Sequence, residues 1–247
     1  MFLEFSATSI LVRADNGREC SFTDNRAESK MLYIGCGYFG GVAHEIGHAL
    51  GLEHTHTRHD RDDYLIVNWT NVEEEYKEMA QKIPDLTLQA YEQQYKNMTA
   101  EENENYDVPY DYGSIMHYGS SGPNPTMIPK DKNYHRTMGS ALISFTDLAL
   151  VNKHYKCEEL CAPKTSPKCL RGGFPNPNKC DTCVCPSGYG GQLCEKQPVG
   201  CVKTITATKD WKSVSRFINN RKGNLNYFKC TNWIKVRTIR KFFTCRL

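Results

Sequence analysis

The stretch His44-Glu-Ile-Gly-His-Ala-Leu-Gly-Leu-Glu-His54 constrains this chain more than any other. Side chains four apart share one face only on an α-helix; on a strand they alternate. The two histidines His44 and His48 therefore predict a helix over Gly41 to Leu50. Gly51 follows it, a residue suited to the left-handed conformation that stops a helix. A sharp reversal at Gly51 returns His54 from beyond the helix as a third imidazole. Three protein ligands leave one position open on the ion, the mark of a catalytic zinc site. Glu45, next to the first ligand, can reach a water on the ion without binding it, and zinc lowers that water's pKa toward about 7. The short motif His-Glu-x-x-His arises by accident, but Gly51 and His54 at fixed offsets make accident a poor explanation. His56, His59, His135 and His154 follow no such pattern and read as ordinary solvated residues.

Such a helix needs a packed domain around it. Residues 1–157 hold most of the aliphatic and aromatic content and look like the one sizeable core. Ile10–Arg13 and Lys30–Ile34 are short apolar strand candidates. Val72, Tyr76, Met79, Ala80 and Ile83 recur at helical spacing until Pro84, and Phe145–Tyr155 predicts a last helix. A chain of 247 residues with 39% hydrophobic and 24% charged residues can bury such a core, which excludes disorder. No apolar run approaches the roughly 18–20 residues of a membrane span. The start lacks a basic region and a clean apolar run, and Glu4 interrupts it, so no secretory leader is legible. A net charge of +3 is too small to suggest a nucleic-acid binder. From Cys201 to Leu247, twelve Lys and Arg face the single acid Asp210, a local net of +11 that leaves −8 on the rest. That tail suits an acidic polysaccharide or membrane surface; the plainer reading is a solvated face.

Eight of the twelve cysteines lie between Cys157 and Cys201. Dense cysteines among Gly, Pro and Asn, with few core formers, read as a small disulfide-held module. A thiolate zinc site on Cys180-x-x-Cys183 fits less well, because Cys183-x-Cys185 gives no second pair at knuckle spacing.

With these residues quoted, two further stretches point to a family. Arg58-His-Asp-Arg-Asp62 follows the third histidine, and Ser114-Ile-Met-His-Tyr-Gly119 lies about sixty residues beyond it, where a methionine turn is expected. The chain thereby resembles the astacins, zinc endopeptidases of the metzincin clan. The fold class implied is α+β: a metzincin domain over 1–157 with a zinc-binding helix and a twisted sheet. Cys169-Leu-Arg-Gly-Gly-Phe174 and Cys185-Pro-Ser-Gly-Tyr-Gly-Gly-Gln-Leu-Cys194 resemble an EGF-like module, placed at 158–198. Cys201-Val-Lys-Thr-Ile-Thr-Ala-Thr and Tyr227-Phe-Lys-Cys230-Thr-Asn-Trp-Ile-Lys235 resemble the opening of an all-β CUB domain, placed at 199–247.

The resemblances imply particular roles. One Zn2+ is held by His44, His48 and His54, with Tyr118 as a fifth ligand that swings away and stabilises the oxyanion of the tetrahedral intermediate. Met116 forms an apolar base under the metal, and Glu45 is the general base that later protonates the leaving amine. Disulfides are implied for Cys20–Cys36, Cys161–Cys180, Cys169–Cys183, Cys185–Cys194 and Cys201–Cys230. Cys157 and Cys245 are left over; the family partner of Cys157 would lie upstream of Met1, which implies a chain truncated at both ends. Family members usually carry Glu after the third histidine to anchor the mature N-terminus, and here Thr55 stands in its place. Neither module carries a legible calcium signature. Asn68-Trp-Thr70 and Asn97-Met-Thr99 are glycosylation sequons. The partners implied are protein substrates, with extracellular-matrix or cuticle proteins as candidates, and no nucleic acid. Substrate is expected to enter as an extended strand along an edge strand such as Lys30–Ile34. The whole reads as a secreted zinc endopeptidase; the alternative is an inactive fragment that serves only as a binding or adhesion module. A serralysin-type protease would share the zinc and tyrosine motifs, but calcium-binding glycine repeats are absent.

Overall fold

The computed structural model describes residues 9–14, 19–25, 29–161, 166–210, 213 and 230–236. The chain divides into two units, Met1–Lys156 and Cys157–Leu247, each taken by itself.

In the first unit, β1 (Ile10–Ala14), β2 (Cys20–Asn25) and β3 (Ser29–Ile34) form a sheet of order β1-β3-β2. Strand β3 is therefore central: it runs parallel to β1 and antiparallel to β2, with Leu32 opposite both Val12 and Phe22. This corrects the expectation that Lys30–Ile34 offers an edge to substrate, because both sides of that strand are already paired. The strand Cys20–Asn25, which alternates apolar and polar residues too weakly to announce itself, supplies an edge instead. The Cys20–Cys36 disulfide ties β2 to the end of β3.

Helix α1 (Phe39–Ala49) packs on β2 and β3. Its own sequence favours helix poorly. Tyr38 at its N-cap offers no side-chain bond, and Gly40, Gly41 and Gly47 lie within its eleven residues, each about 1 kcal/mol worse than Ala. Tertiary packing holds this helix. Leu52, Ile115 and Met116 form a small buried cluster beside it, joined by Ala43 and by Leu150 and Val151 of α4 (Phe145–His154). Helix α4 is locally well specified: Ser144 and Asp147 make a reciprocal capping box, and Lys153 and His154 sit in the last turn.

The larger core lies under β4 (Leu65–Val67), α2 (Trp69–Ala80), α3 (Leu88–Gln93) and β5 (Met127–Pro129). Leu65, Val72, Tyr91, Tyr95, Tyr110, Tyr112, Met127 and Met138 fill it. Asn68 and Thr87 cap α2 and α3, each accepting a backbone N–H. Arg58 and Arg61 are buried among carbonyls, Arg58 on Val108 and Pro109 and Arg61 on His56 and Tyr95.

The second unit is held by bridges more than by core. Strands β6 (Phe174–Asn176) and β7 (Lys179–Val184) form a hairpin carrying Cys161–Cys180, Cys169–Cys183 and Cys185–Cys194. Strands β8 (Cys201–Thr206) and β9 (Cys230–Lys235) run parallel, and the disulfide Cys201–Cys230 joins register partners. Trp233 of β9 donates its Nε1–H to the Gly188 carbonyl at 2.7 Å and lies beside the Tyr189 ring. Among the described residues Cys157 is the cysteine without a disulfide; Cys245 lies outside them. No helix among the described residues is long and apolar enough to cross a membrane.

Candidate metal centre

Helix α1 carries His44 and His48 on one face, four residues apart. Just past the helix end and its cap at Leu50, Gly51 has a φ of +88°, open to glycine at little cost, and turns the chain back. His54 then returns, and the Nε2 atoms of His44, His48 and His54 stand 3.2 Å from one another on all three sides of a triangle.

Their tautomers can be assigned from their other nitrogens. His44 Nδ1 lies 2.7 Å from the Ile115 carbonyl, and His48 Nδ1 lies 2.8 Å from the Leu52 carbonyl. A carbonyl only accepts, so each Nδ1 carries the proton and each Nε2 presents a lone pair. The close contact between those two Nε2 atoms is therefore not a hydrogen bond. Lone pairs facing one another repel unless a cation lies among them. A triangle of 3.2 Å sides has its centre about 1.8 Å from each nitrogen, close to a zinc–imidazole bond of about 2.0–2.1 Å. The donor set fits zinc in number, atom type and spacing, and backbone carbonyls orient it as outer partners of metal histidines do. Burial also favours the neutral form of two of the rings: the His48 pKa is pushed down to about 4, and that of His54 well below its usual value, by desolvation and then by neighbouring histidines.

Glu45 is half-buried beside His44. Desolvation raises its carboxyl above the usual range; the nearby His44 ring and the backbone N–H of Phe22 in β2 oppose that rise. Met116 is 1% exposed and lies under α1 at Gly47, where a Cβ would stand 2.5 Å from its sulfur. Thr55 donates its N–H to the Met116 carbonyl, which ties the residue after His54 to the methionine turn. The Tyr118 ring packs between His54 and His56, 4.3 Å from each. Its hydroxyl lies 3.4 Å from Gln94 Oε1, and burial pushes its pKa up to about 12.

The expectation that His56 is solvated is wrong. His56 is fully buried, donates Nε2–H to the Gln94 carbonyl at 3.0 Å and receives the Tyr118 N–H on Nδ1. His117 is buried as well, bonded to the Tyr118 carbonyl and to the Tyr110 hydroxyl. His59 and His154 are half-buried with partners at Asn103 and Tyr106, and His135 is exposed. His56 lies in a single 3-10 turn, Thr55–Thr57, too short for spacing to mark an inward face. Of the two sequons, Asn97 is exposed in a loop, while Asn68 is half-buried and its side chain caps α2.

Comparison with known proteins agrees with this geometry. The profile of the peptidase family described as Astacin matches residues 6–156. Zinc metalloproteinase nas-31 of Caenorhabditis elegans is 41% identical over 94% of this chain, which covers 37% of that protein. Zinc metalloproteinase nas-25 of the same organism is 36% identical over 81% of this chain and 48% of its own length. The chain thus spans less than half of either relative. High choriolytic enzyme 1, a hatching enzyme zinc-protease from Oryzias latipes, aligns at 28% identity and a TM-score of 0.46, covering 62% of this chain and 72% of that one. With the profile covering more than half of its residues and a zinc-fitting histidine triad within the match, the chain belongs to the astacin family of peptidases.

Proposed function

We propose that the chain is the catalytic and adjoining part of a secreted zinc endopeptidase. One observation carries this reading: three imidazoles converge their Nε2 atoms at zinc-binding spacing beside a half-buried carboxylate. Zinc held by His44, His48 and His54 would supply Lewis-acid polarisation of the scissile carbonyl and acidify the attacking water. Glu45 takes the proton from that water and passes it to the leaving amine. Burial raises its carboxyl, which favours its holding the proton between the two transfers. The Phe22 N–H steadies the carboxylate from β2, and that edge strand is where an extended peptide would add. Tyr118, packed against His54, is near enough to the site to donate to the oxyanion of the tetrahedral intermediate, and Met116 backs the histidines from below.

The domain reading extends this proposal. Residues 1–157 form the peptidase domain, 158–198 an EGF-like module and 199–247 a CUB-like portion. Two interleaved bridges followed by the separate Cys185–Cys194 bridge support the second assignment, and the Cys201–Cys230 pairing supports the third. The modules locate the enzyme on extracellular protein substrates, with matrix or cuticle proteins as candidates. Disulfides in both units support an oxidising compartment, where Asn97 and Asn68 are candidates for glycans.

The test is to produce the chain oxidatively, measure zinc stoichiometry and assay a broad peptide library. The expected result is one zinc per chain and cleavage that Glu45→Gln lowers by about 10²–10⁴-fold with zinc retained. Tight zinc binding without cleavage would favour a binding module instead. A folded chain that takes up no zinc would end the proposal.

A further inference from the structure

Behind the histidine triad, four groups form a line of hydrogen bonds that starts at the half-buried His44 and ends on a buried carboxylate. His44 Nδ1–H donates to the Ile115 carbonyl at 2.7 Å. The other end of that same peptide unit, the Met116 N–H, donates to Ser114 Oγ at 3.0 Å. Ser114 in turn donates its hydroxyl proton to Asp147 Oδ1 at 2.6 Å. Every donor in the line points toward Asp147. Bonds so aligned polarise one another, because each transfer of charge makes the next acceptor more negative.

The rest of the network fixes the direction. Ser114 Oγ also receives the Thr55 hydroxyl at 2.9 Å, so with two donors received and its own proton given it has one assignment left. Asp147 Oδ2 receives the N–H of Ile115 at 3.1 Å and of Ser144 at 2.8 Å. Thr55, Ser114 and Asp147 are all more than nine-tenths buried, which removes water as a competing partner. Thr55 follows His54 directly, so the same serine holds the chain at a second histidine of the triad.

We propose that Asp147 is a positioning residue for the metal site: acting through Ser114 and the Ile115–Met116 peptide, it orients His44 and raises the donor strength of its Nε2. This rests on the zinc reading above. Metal histidines commonly lean on a carboxylate directly; here the carboxylate sits on α4 and reaches the ring across a hydroxyl and a peptide. The chemistry is that of a negative charge at one end of the line and a metal-facing lone pair at the other. No proton needs to cross.

The experiment measures the zinc dissociation constant of the full chain by competition with a chelator of known affinity. Ser114→Ala cuts the line but leaves Asp147 its bonds to Ile115 and Ser144. It should weaken zinc binding by about ten- to a hundredfold. Asp147→Asn should do the same, and the double variant should be no worse than the more severe single one, since both cut one path. In the zinc-loaded chain the His44 Nδ1 proton resonance should move upfield in both. Ser144→Ala removes the helix cap without touching the line; it should lower thermal stability with zinc affinity and the His44 resonance unchanged. Zinc affinity in folded Ser114→Ala equal to that of the unsubstituted chain would overturn the inference. So would an equal loss in Ser144→Ala, which would make the effect one of helix stability. Absence of zinc binding by the unsubstituted chain would instead sink the zinc reading itself, and the inference with it.

Discussion

Gly47→Ala sets two forces against each other at the centre of the site. Alanine in a helix interior is worth about 0.5–1 kcal/mol over glycine, so on propensity alone the variant should be more stable. The packing argues otherwise. A Cβ at residue 47 would lie 2.5 Å from Met116 Sδ and 3.3 Å from its Cε, with Leu52 Cδ1 at 3.6 Å. The sulfur would have to retreat by more than 1 Å to reach a van der Waals separation of about 3.5–4.0 Å. Methionine is a flexible side chain, but Met116 is 1% exposed and backed by Ile115 at 4%. Overpacking of this kind costs about 1–3 kcal/mol. Subtracting the propensity gain leaves a net loss of about 0.5–2 kcal/mol. In a Met116→Ala background the obstacle is gone and the same substitution should stabilise by about 0.5–1 kcal/mol. The two effects should therefore couple by about 1–3 kcal/mol in a double-mutant cycle. Urea unfolding gives the free energies, and hydrogen exchange of the α1 amides localises them. A Gly47→Ala chain more stable than its parent with Met116 in place would refute the reasoning.

Three other perturbations follow from the geometry. Cys20 and Cys36, separated by 16 residues, close a loop worth about 3 kcal/mol; replacing both by Ser frees β2 and with it the Phe22 N–H that steadies Glu45, so kcat should fall further than zinc content, and parallel losses would contradict this. His56, held down to about 3 by burial and then by His117, stays neutral in the native state while the unfolded chain takes up its proton below about pH 6.5. Stability should therefore fall as pH drops from about 6.5, and His56→Gln should flatten that slope by about 1.4 kcal/mol per pH unit, measured by urea unfolding; an unchanged slope would refute the assignment. His48→Ala removes one corner of the triad and leaves the Leu52 carbonyl without its donor; zinc should no longer copurify with the chain, as metal analysis would show.

Much of the site is legible because its chemistry imposes a period. Two imidazoles four apart demand a helix, and the helix runs Phe39–Ala49 with the left-handed glycine at Gly51. Helix α4 is legible for a different reason, since Ser144 and Asp147 write its start into the sequence. The same Asp147 shows where legibility ends. As a cap it reads as local, yet its carboxylate is 3% exposed and bonded to Ser114 and Ile115, more than thirty residues away. No spacing rule relates them. His56 is hidden in the same manner, buried by tertiary neighbours in a single 3-10 turn too short to show a period. Lys30–Ile34 reads as an edge yet lies at the centre, because strand order depends on which partners are present and an apolar run fits either place.

The weak helix at the site and the strong helix behind it belong to one argument. Helix α1 has no side-chain cap and three glycines, so its register is set by what it touches. Two of those contacts are the carbonyls of Ile115 and Leu52, each holding a histidine by its Nδ1 proton. The Ile115 peptide is itself held through Ser114 by Asp147, in the first turn of the well-capped α4. Order therefore passes from the helix with strong local end signals to the helix that lacks them. An ion binding the folded triad stabilises it by mass action, by about 4 kcal/mol at a thousand times its dissociation constant. Zinc should thus raise the unfolding temperature of the first unit, and Ser114→Ala should shrink that rise at fixed zinc by about 1.4 kcal/mol for each tenfold loss of affinity. Calorimetry at matched zinc concentrations reads both quantities, and a full zinc-dependent rise in Ser114→Ala would show that the ordering of α1 does not pass through Asp147.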